Sequence, residues 1–165
     1  MKNIKSKAKK IQNSELLIHN SEFKKGVDYI GVTCVFFCHD GNGKLLLHKR
    51  SNSCKDEKGM WDPGGGSLEV GEEFEEGVRR EVKEEYCTDI LKLDFVGANN
   101  VLRVNDGKRT HWIALVFVCH VDPNQVKIGE PEKMDDIGWF KIDDLPSPLH
   151  SQFDRFLEEV KKYIH

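Results

Sequence analysis

Three glutamates in the middle of the chain have the spacing of a cation-binding helix face. Glu81, Glu84 and Glu85 stand at positions i, i+3 and i+4, so on a helix their carboxylates project side by side within one turn. Two carboxylates about 6 Å apart in an effective dielectric of about 20 repel each other by roughly 3 kcal/mol, and a bound cation removes that repulsion. The alternative is an acidic helix face in contact with water, where the repulsion falls to about a few tenths of a kcal/mol.

A glycine-rich turn leads into the segment that carries these glutamates. Residues 63–66, which read Pro-Gly-Gly-Gly, supply the tight turn. Phe74, Val78 and Val82 then fall four residues apart, which predicts a helix with one buried apolar stripe. The glutamates lie on a different face of that helix, so it forms a rigid platform for them.

The stretch from Gly66 to Thr88 resembles the Nudix box, G-x5-E-x7-R-E-U-x-E-E-x-G-U. Gly66 is followed after five residues by Glu72 and after seven more by the run Arg80 to Glu85. Cys87 stands where the family has glycine, and Thr88 where it has an aliphatic residue. These two departures affect the exit from the helix rather than the metal ligands.

The resemblance implies roles for residues of the box. The Gly65 carbonyl, Glu81 and Glu85 coordinate the metal, and Glu84 shares in this or acts as the base. Hard oxygen ligands select Mg²⁺ or Mn²⁺ over zinc. Arg80 pairs with Glu72 to brace the loop against the helix, which completes a predicted catalytic set of Glu72, Arg80, Glu84 and Glu85. Outside the helix, Glu132 is a further predicted metal ligand, and Glu69 is a weaker candidate.

Other residues are candidates for contacts with the substrate. Arg50 ends a strand at a place where Nudix proteins often direct an arginine at the substrate phosphates, and its planar fork suits such a contact. His111 and Trp112 open a later strand and could stack on a nucleobase or bond to its edge. The alternative for both is an ordinary strand pair at a sheet end. Trp61 is expected in the core, and the sequence suggests no role for Asp62.

The segments around the box alternate between strand and helix signals. Their order is hairpin, helix, hairpin, strand and helix, and the pattern alone indicates an α+β protein. With the resemblance it implies the Nudix fold, an α/β/α sandwich with a mixed β-sheet. The predicted strands are 29–38 with 44–49, 91–104 with 109–121, and 137–142, and the last helix carries Phe153, Phe156, Leu157, Val160 and Ile164.

The composition suits one domain. A chain of 165 residues with 38% hydrophobic content can bury one substantial core, and we expect a domain from residue 27 to 165. Residues 1–26 form a basic N-terminal extension, which we interpret as a solvated arm, although such arms can also touch nucleic acid or acidic lipid. The net charge of −3 disfavours broad nucleic-acid binding. The sequence leaves the oligomeric state open, with a homodimer among the alternatives.

Cysteine usage predicts a reducing compartment. The five cysteines are odd in number and form no C-x-x-C pair, which disfavours a disulfide framework and a zinc site. No apolar run reaches transmembrane length, and the N-terminus lacks the apolar region of a signal peptide. We therefore expect a cytoplasmic protein without a membrane partner.

The resemblance predicts metal-dependent hydrolysis of a pyrophosphate bond in a nucleoside diphosphate linked to a group X. Family enzymes for ADP-ribose tend to carry a proline about sixteen residues beyond the box, and those for diadenosine polyphosphates a tyrosine. Val104 and its neighbours offer neither. The preferred interpretation is therefore a MutT-like nucleoside triphosphate pyrophosphohydrolase. The alternatives are an ADP-ribose or other nucleotide-sugar pyrophosphatase, and a nucleotide-binding sensor without turnover.

Overall fold

The computed structural model of the protein describes residues 23–105 and 107–164. Most of the predicted basic extension, including its lysines between residues 2 and 10, lies outside these residues. The part of the extension that is described contacts the domain, because the Gly26 carbonyl accepts a hydrogen bond of 2.8 Å from the His111 amide.

The described residues form one mixed sheet of seven strands. The strands are β1 Gly31–His39, β2 Lys44–Arg50, β3 Trp61–Asp62, β4 Gly65–Ser67, β5 Ile90–Asn105, β6 Lys108–Val121 and β7 Met134–Lys141. The order across the sheet is β3-β2-β1-β6-β5, with β4 paired to β1 and β7 paired to β2. β1 and β6 run parallel, and the other pairs are antiparallel.

The two predicted hairpins differ in how far their strands stay paired. β5 and β6 pair over their full length, which confirms the second hairpin. β1 and β2 are antiparallel but register only at His39 and Leu45. Beyond that pair β2 continues against β7, while β1 pairs with β4, where Val35 faces Gly65. The separation of β1 from β2 makes room for the glycine turn inside the sheet.

One helix covers each face of the sheet. Helix α1 spans Phe74–Tyr86, and helix α2 spans Phe153–Val160 and continues into a 3₁₀ turn, Lys161–Tyr163. Neighbouring residues of a strand point to opposite faces. Accordingly Phe36 packs in the cluster that contains α1, and Phe37 packs in the cluster that contains α2. This arrangement confirms the predicted α/β/α sandwich.

Helix α1 departs from its predicted stripe at one end. Val78 and Val82 are fully buried and the stripe continues to Tyr86, but Phe74 is 50% exposed, so the prediction that Phe74 is buried was wrong. The loop before the helix packs at Gly77 instead, where a Cβ atom would lie 2.9 Å from Leu68. Phe74 is therefore left on the outermost turn.

The C-terminal part of the chain follows the prediction closely. Phe153, Phe156 and Val160 are buried, as the spacing of the last helix predicted. Trp61 packs edge-on against Phe140 with ring centroids 5.1 Å apart, which confirms its place in the core. Strand β7 begins at Met134, three residues earlier than predicted. Within the part of the chain that the structure describes, neither helix is long and apolar enough to cross a bilayer.

Candidate active site

A cleft of about 570 Å³ opens beside the glycine turn. One wall carries Glu81 and Glu85 of α1. The other surfaces include Ala114 from β6 and Phe153 and Phe156 from α2, which belong to the apolar cluster on the opposite face of the sheet. The cleft therefore joins acidic groups from one layer to an apolar surface from the other, at the place where β1 and β2 separate.

Glu85 is a buried carboxyl group with an unused oxygen. The residue is 6% exposed, and its Oε2 has no hydrogen-bond partner among the described residues. Burial raises the pKa of Glu85 well above its usual range, and the charges of Glu81, Glu130 and Asp62 raise it further, while a hydrogen bond from the Gly65 backbone opposes the shift. An acid with these neighbours is costly to ionise unless a cation compensates it.

Glu81 lies directly against the glycine turn. A Cβ atom at position 66 would overlap the Glu81 carboxylate, so this contact requires glycine. The Gly66 carbonyl in turn accepts a hydrogen bond of 2.9 Å from Thr33 of β1. Burial raises the pKa of Glu81, and the charges of Glu84 and Glu130 add to this, while the hydrogen bond from Arg80 lowers it.

The third glutamate of the helix face points outward. The Glu84 side chain is 51% exposed, and one of its oxygens lies 3.2 Å from an Arg80 nitrogen. Within residues 23–105 and 107–164, no three His, Cys, Asp or Glu side chains are arranged so that they could by themselves hold a metal ion. The donor chemistry nevertheless fits a hard cation, because Glu85 offers a free buried oxygen and Glu81 and Gly65 line the same wall.

Arg80 ties the loop before the helix to the acidic face. Its Nε and one terminal nitrogen donate to the two oxygens of Glu72 at 2.8 and 3.1 Å, so the predicted ion pair is present and bidentate. The other terminal nitrogen donates to Glu81 at 2.8 Å. The hydrogen bond from Arg80 lowers the pKa of Glu72. One guanidinium thus sets the position of both the loop and a predicted ligand.

Buried hydrogen bonds from His48 and Tyr86 support the glycine turn. His48 Nδ1 lies 3.0 Å from the Pro63 carbonyl and 2.8 Å from the Tyr86 hydroxyl. The Tyr86 hydroxyl also donates to the same carbonyl. Burial lowers the pKa of His48. The network joins β2 to the last turn of α1 and holds the chain that enters the glycine turn.

The predicted substrate contacts have different surroundings. Arg50 lines the cleft and is paired with Asp62 at 3.1 Å, which gives Asp62 a role that the sequence did not suggest. Trp112 also lines the cleft, and its ring covers Gly26 and Gly31, where a Cβ atom would overlap it.

His111 is not brought to the cleft. Its Nε2 lies 2.8 Å from Asn100 Oδ1, and the residue pairs across the strands with Leu102, so the ordinary strand-pair interpretation fits it better.

In the acidic loop of residues 129–136, the glutamate that lines the cleft is Glu130 and not the predicted Glu132. Glu132 is exposed, lies outside the cleft lining, and uses its backbone carbonyl to accept 2.7 Å from Ser51 Oγ. Glu130 lines the cleft and pairs with Lys133 at 2.6 Å. Both acids occur in one irregular loop without periodicity, so the sequence did not indicate which of them faces inward. Glu69 is exposed and also lies away from the cleft.

Sequence reasoning missed a pair of charged residues that line the cleft. Arg103 of β5 and Asp56 of the loop after β2 both line the cleft and form an ion pair of 2.7 Å. The available signal was the alternation of β5, which puts Arg103 on the same face as the buried Val101.

Comparison with known proteins identifies relatives of this arrangement. A profile of the NUDIX domain matches residues 29–160. The nucleoside triphosphatase NudI of Escherichia coli is 31% identical over 121 residues, which cover 69% of this chain and 83% of that protein.

Solved structures show the same fold. The MutT NUDIX hydrolase from Burkholderia pseudomallei superposes with a TM-score of 0.71 and 30% identity, over 80% of this chain and 98% of that one. The NUDIX domain of Shewanella oneidensis NrtR, complexed with ADP ribose, superposes with a TM-score of 0.66 over 92% of this chain and 98% of that one. Because the sequence identity is 20%, this match shows similarity of fold alone.

Proposed function

The chain belongs to the NUDIX family and is a hydrolase of phosphoric anhydrides, and from this premise we propose that its substrate is a nucleoside triphosphate. The products are a nucleoside monophosphate and pyrophosphate, and the reaction depends on Mg²⁺ or Mn²⁺. The similarity to a protein named nucleoside triphosphatase supports this substrate class over a nucleotide sugar.

One observation carries the proposed metal dependence, namely the buried Glu85 oxygen that has no hydrogen-bond partner among the described residues. It lies on the wall of a cleft that Glu81 also lines, and burial, together with the charges of its acidic neighbours, raises the pKa of Glu85. A group in this state favours a cation as its partner. We propose Glu81, Glu85 and the Gly65 carbonyl as the ligands, with Glu84 as a further ligand or as the base.

The cation, when bound, neutralises charge on the phosphate oxygens and orients the attacking water. Arg80 holds the Glu81 carboxylate from one side while Gly66 allows its close approach from the other. We propose that Arg50, which lines the cleft, binds a phosphate of the substrate. The apolar surface of the cleft, with Trp112 and Phe156, suits a nucleobase, and it excludes water from one side of the bound substrate.

The free state of all five cysteines agrees with a reducing cytoplasm as the place of action, and we include that location in the proposal.

Product analysis tests the proposal. Nucleoside triphosphates are incubated with the protein and Mg²⁺, and nucleotides and phosphates are separated at intervals. We expect monophosphate and pyrophosphate in equal amounts and no turnover in excess EDTA. Release of diphosphate and orthophosphate, or equal turnover in EDTA, contradicts the proposal.

A further inference from the structure

Asp56 bridges two arginines inside the cleft. One Asp56 oxygen lies 2.9 Å from a terminal nitrogen of Arg50, and the other lies 2.7 Å from a terminal nitrogen of Arg103. All three residues line the cleft, and each guanidinium side chain is 20% exposed. A planar anion of the protein therefore already lies between two guanidinium groups, in the same cleft as the predicted metal ligands.

Arg103 has one N–H donor, at Nε, that no described residue accepts, and this Nε is buried. Its contacts to Glu57 and His150 are long, at 3.4 and 3.5 Å. A buried N–H group without an acceptor is costly, and an anion with several oxygens in the cleft offers acceptors that Asp56 alone does not supply.

A chain of charges connects this pair to the acidic wall. Asp62 lines the same cleft as Glu85 and pairs with Arg50 at 3.1 Å. Arg50 then shares Asp56 with Arg103. Both arginines thus lie in the cleft that also holds the predicted metal ligands Glu81 and Glu85, where a phosphate chain of the substrate has to lie.

The loop that carries Asp56 does not depend on the Asp56 carboxylate alone. Arg50 also donates through Nε and a terminal nitrogen to the Asp56 backbone carbonyl, at 3.2 Å in each case. Next along the loop, Glu57 accepts a hydrogen bond of 2.7 Å from Ser151 Oγ, two residues before α2 begins. Release of the carboxylate therefore leaves the loop attached at two other points.

We propose that Arg50 and Arg103 together bind the phosphate chain of the substrate, and that the Asp56 carboxylate occupies this site until the substrate displaces it. Guanidinium forks suit phosphate oxygens, and a polyphosphate carries more charge than one carboxylate. Arg103 is then a substrate-binding residue, and Asp56 sets the affinity by competition. The inference rests on the proposed function, because it takes the ligand to be the phosphate chain of a nucleotide.

Binding of inorganic tripolyphosphate in EDTA, measured by calorimetry, tests the inference. Asp56→Asn removes the competing charge, and we expect it to tighten binding at least about fivefold, equivalent to roughly 1 kcal/mol. Arg103→Gln should weaken binding by a similar factor, and Arg103→Lys, which keeps the charge but loses the fork, should weaken it about threefold or more. The full chain is used throughout, so its basic N-terminus contributes equally to every variant.

Asp94→Asn is the matched control, because Asp94 is also ion-paired, at 2.7 Å to Lys92, and lies on the same strand as Arg103 but outside the cleft. It should leave binding unchanged. Unchanged or weaker binding by Asp56→Asn shows that Asp56 is only a structural tie and overturns the inference, as does full affinity in both Arg103 variants. Neither metal nor hydrolysis enters the measurement, so its outcome is separate from that of the proposed reaction.

Discussion

Glu85 is the residue on which the proposed chemistry depends most. The chain buries its carboxyl group beside other acids and leaves one oxygen without a hydrogen bond. A structural acid in the same position would be expected to have donors around both oxygens. The Gly65 backbone donates a hydrogen bond to this carboxyl group, and Oε2, which has no partner among the described residues, is left for a cation.

Glu85→Gln should therefore lower kcat more than a hundredfold while keeping the fold. The amide has the size of the acid but lacks the charge that holds the cation where phosphate charge develops. Steady-state kinetics with a triphosphate measure the effect. Glu75→Gln, on an exposed part of the same helix, is the matched control and should keep wild-type activity. A kcat for Glu85→Gln within about fivefold of wild type removes Glu85 from the ligand set.

The acidic loop offers a second comparison at this scale. Glu130 lines the cleft and its charge contributes to the raised pKa values of Glu81 and Glu85, whereas Glu132 is exposed. We expect Glu130→Gln to reduce kcat/KM for triphosphates about three- to tenfold, on the hypothesis that the acid of this loop that lines the cleft helps to hold additional metal. Glu132→Gln should have no effect. The reverse ranking in parallel assays contradicts the assignment made from the structure.

At the scale of elements, helix α1 shows what sequence patterns determine and what they leave open. Its period predicted the burial of Val78 and Val82 and placed the glutamates on another face. The period could not show that the preceding loop packs at Gly77 and leaves Phe74 outside, because that depends on where another segment lies. The same limit applies to Glu130, whose place in the cleft is set by how an irregular loop packs against distant parts of the chain.

The exit from α1 follows the path expected for a glycine. Cys87 is left-handed, with φ 56° and ψ 19°, and its thiol is exposed. Thr88 fills the aliphatic position and is fully buried, and its hydroxyl lacks a hydrogen-bond partner among the described residues. The backbone at Cys87 therefore has the left-handed conformation expected for a glycine, although residues 87 and 88 both differ in type from the family pattern.

Cys87→Gly should be neutral or should stabilise the protein by up to about 1 kcal/mol, with activity unchanged. A left-handed conformation costs a non-glycine residue roughly 1–2 kcal/mol, and the greater freedom of glycine in the unfolded chain offsets part of the gain. Urea unfolding measures the change. Cys87→Ala removes the thiol but keeps Cβ, so it should show no gain. A clear loss of stability in the glycine variant alone would mean that the backbone strain is not the controlling term.

At the scale of the whole molecule, the sheet supports the site, and the separation of two of its strands provides the space for the cleft. Two layers of helix pack on opposite faces, and only where β1 and β2 separate does the acidic face of α1 reach the apolar cleft beside α2. The order of strands and helices predicted an α+β protein, and the family resemblance implied the two helical layers. The hairpin signal did not predict that β1 and β2 separate. They separate because most of β2 pairs with β7, while β1 pairs with β4.

The most direct test of the account compares kcat/KM for a panel of nucleoside triphosphates with that for ADP-ribose and other nucleotide sugars, all with Mg²⁺. A triphosphate carries about four negative charges and needs both the acidic wall with its cation and the cationic side chains of the cleft. A nucleotide sugar carries only about two on its diphosphate and depends more on contacts to the distal sugar. We predict that at least one triphosphate exceeds every nucleotide sugar, and that this activity disappears in EDTA. Turnover of a nucleotide sugar well above that of every triphosphate contradicts the account.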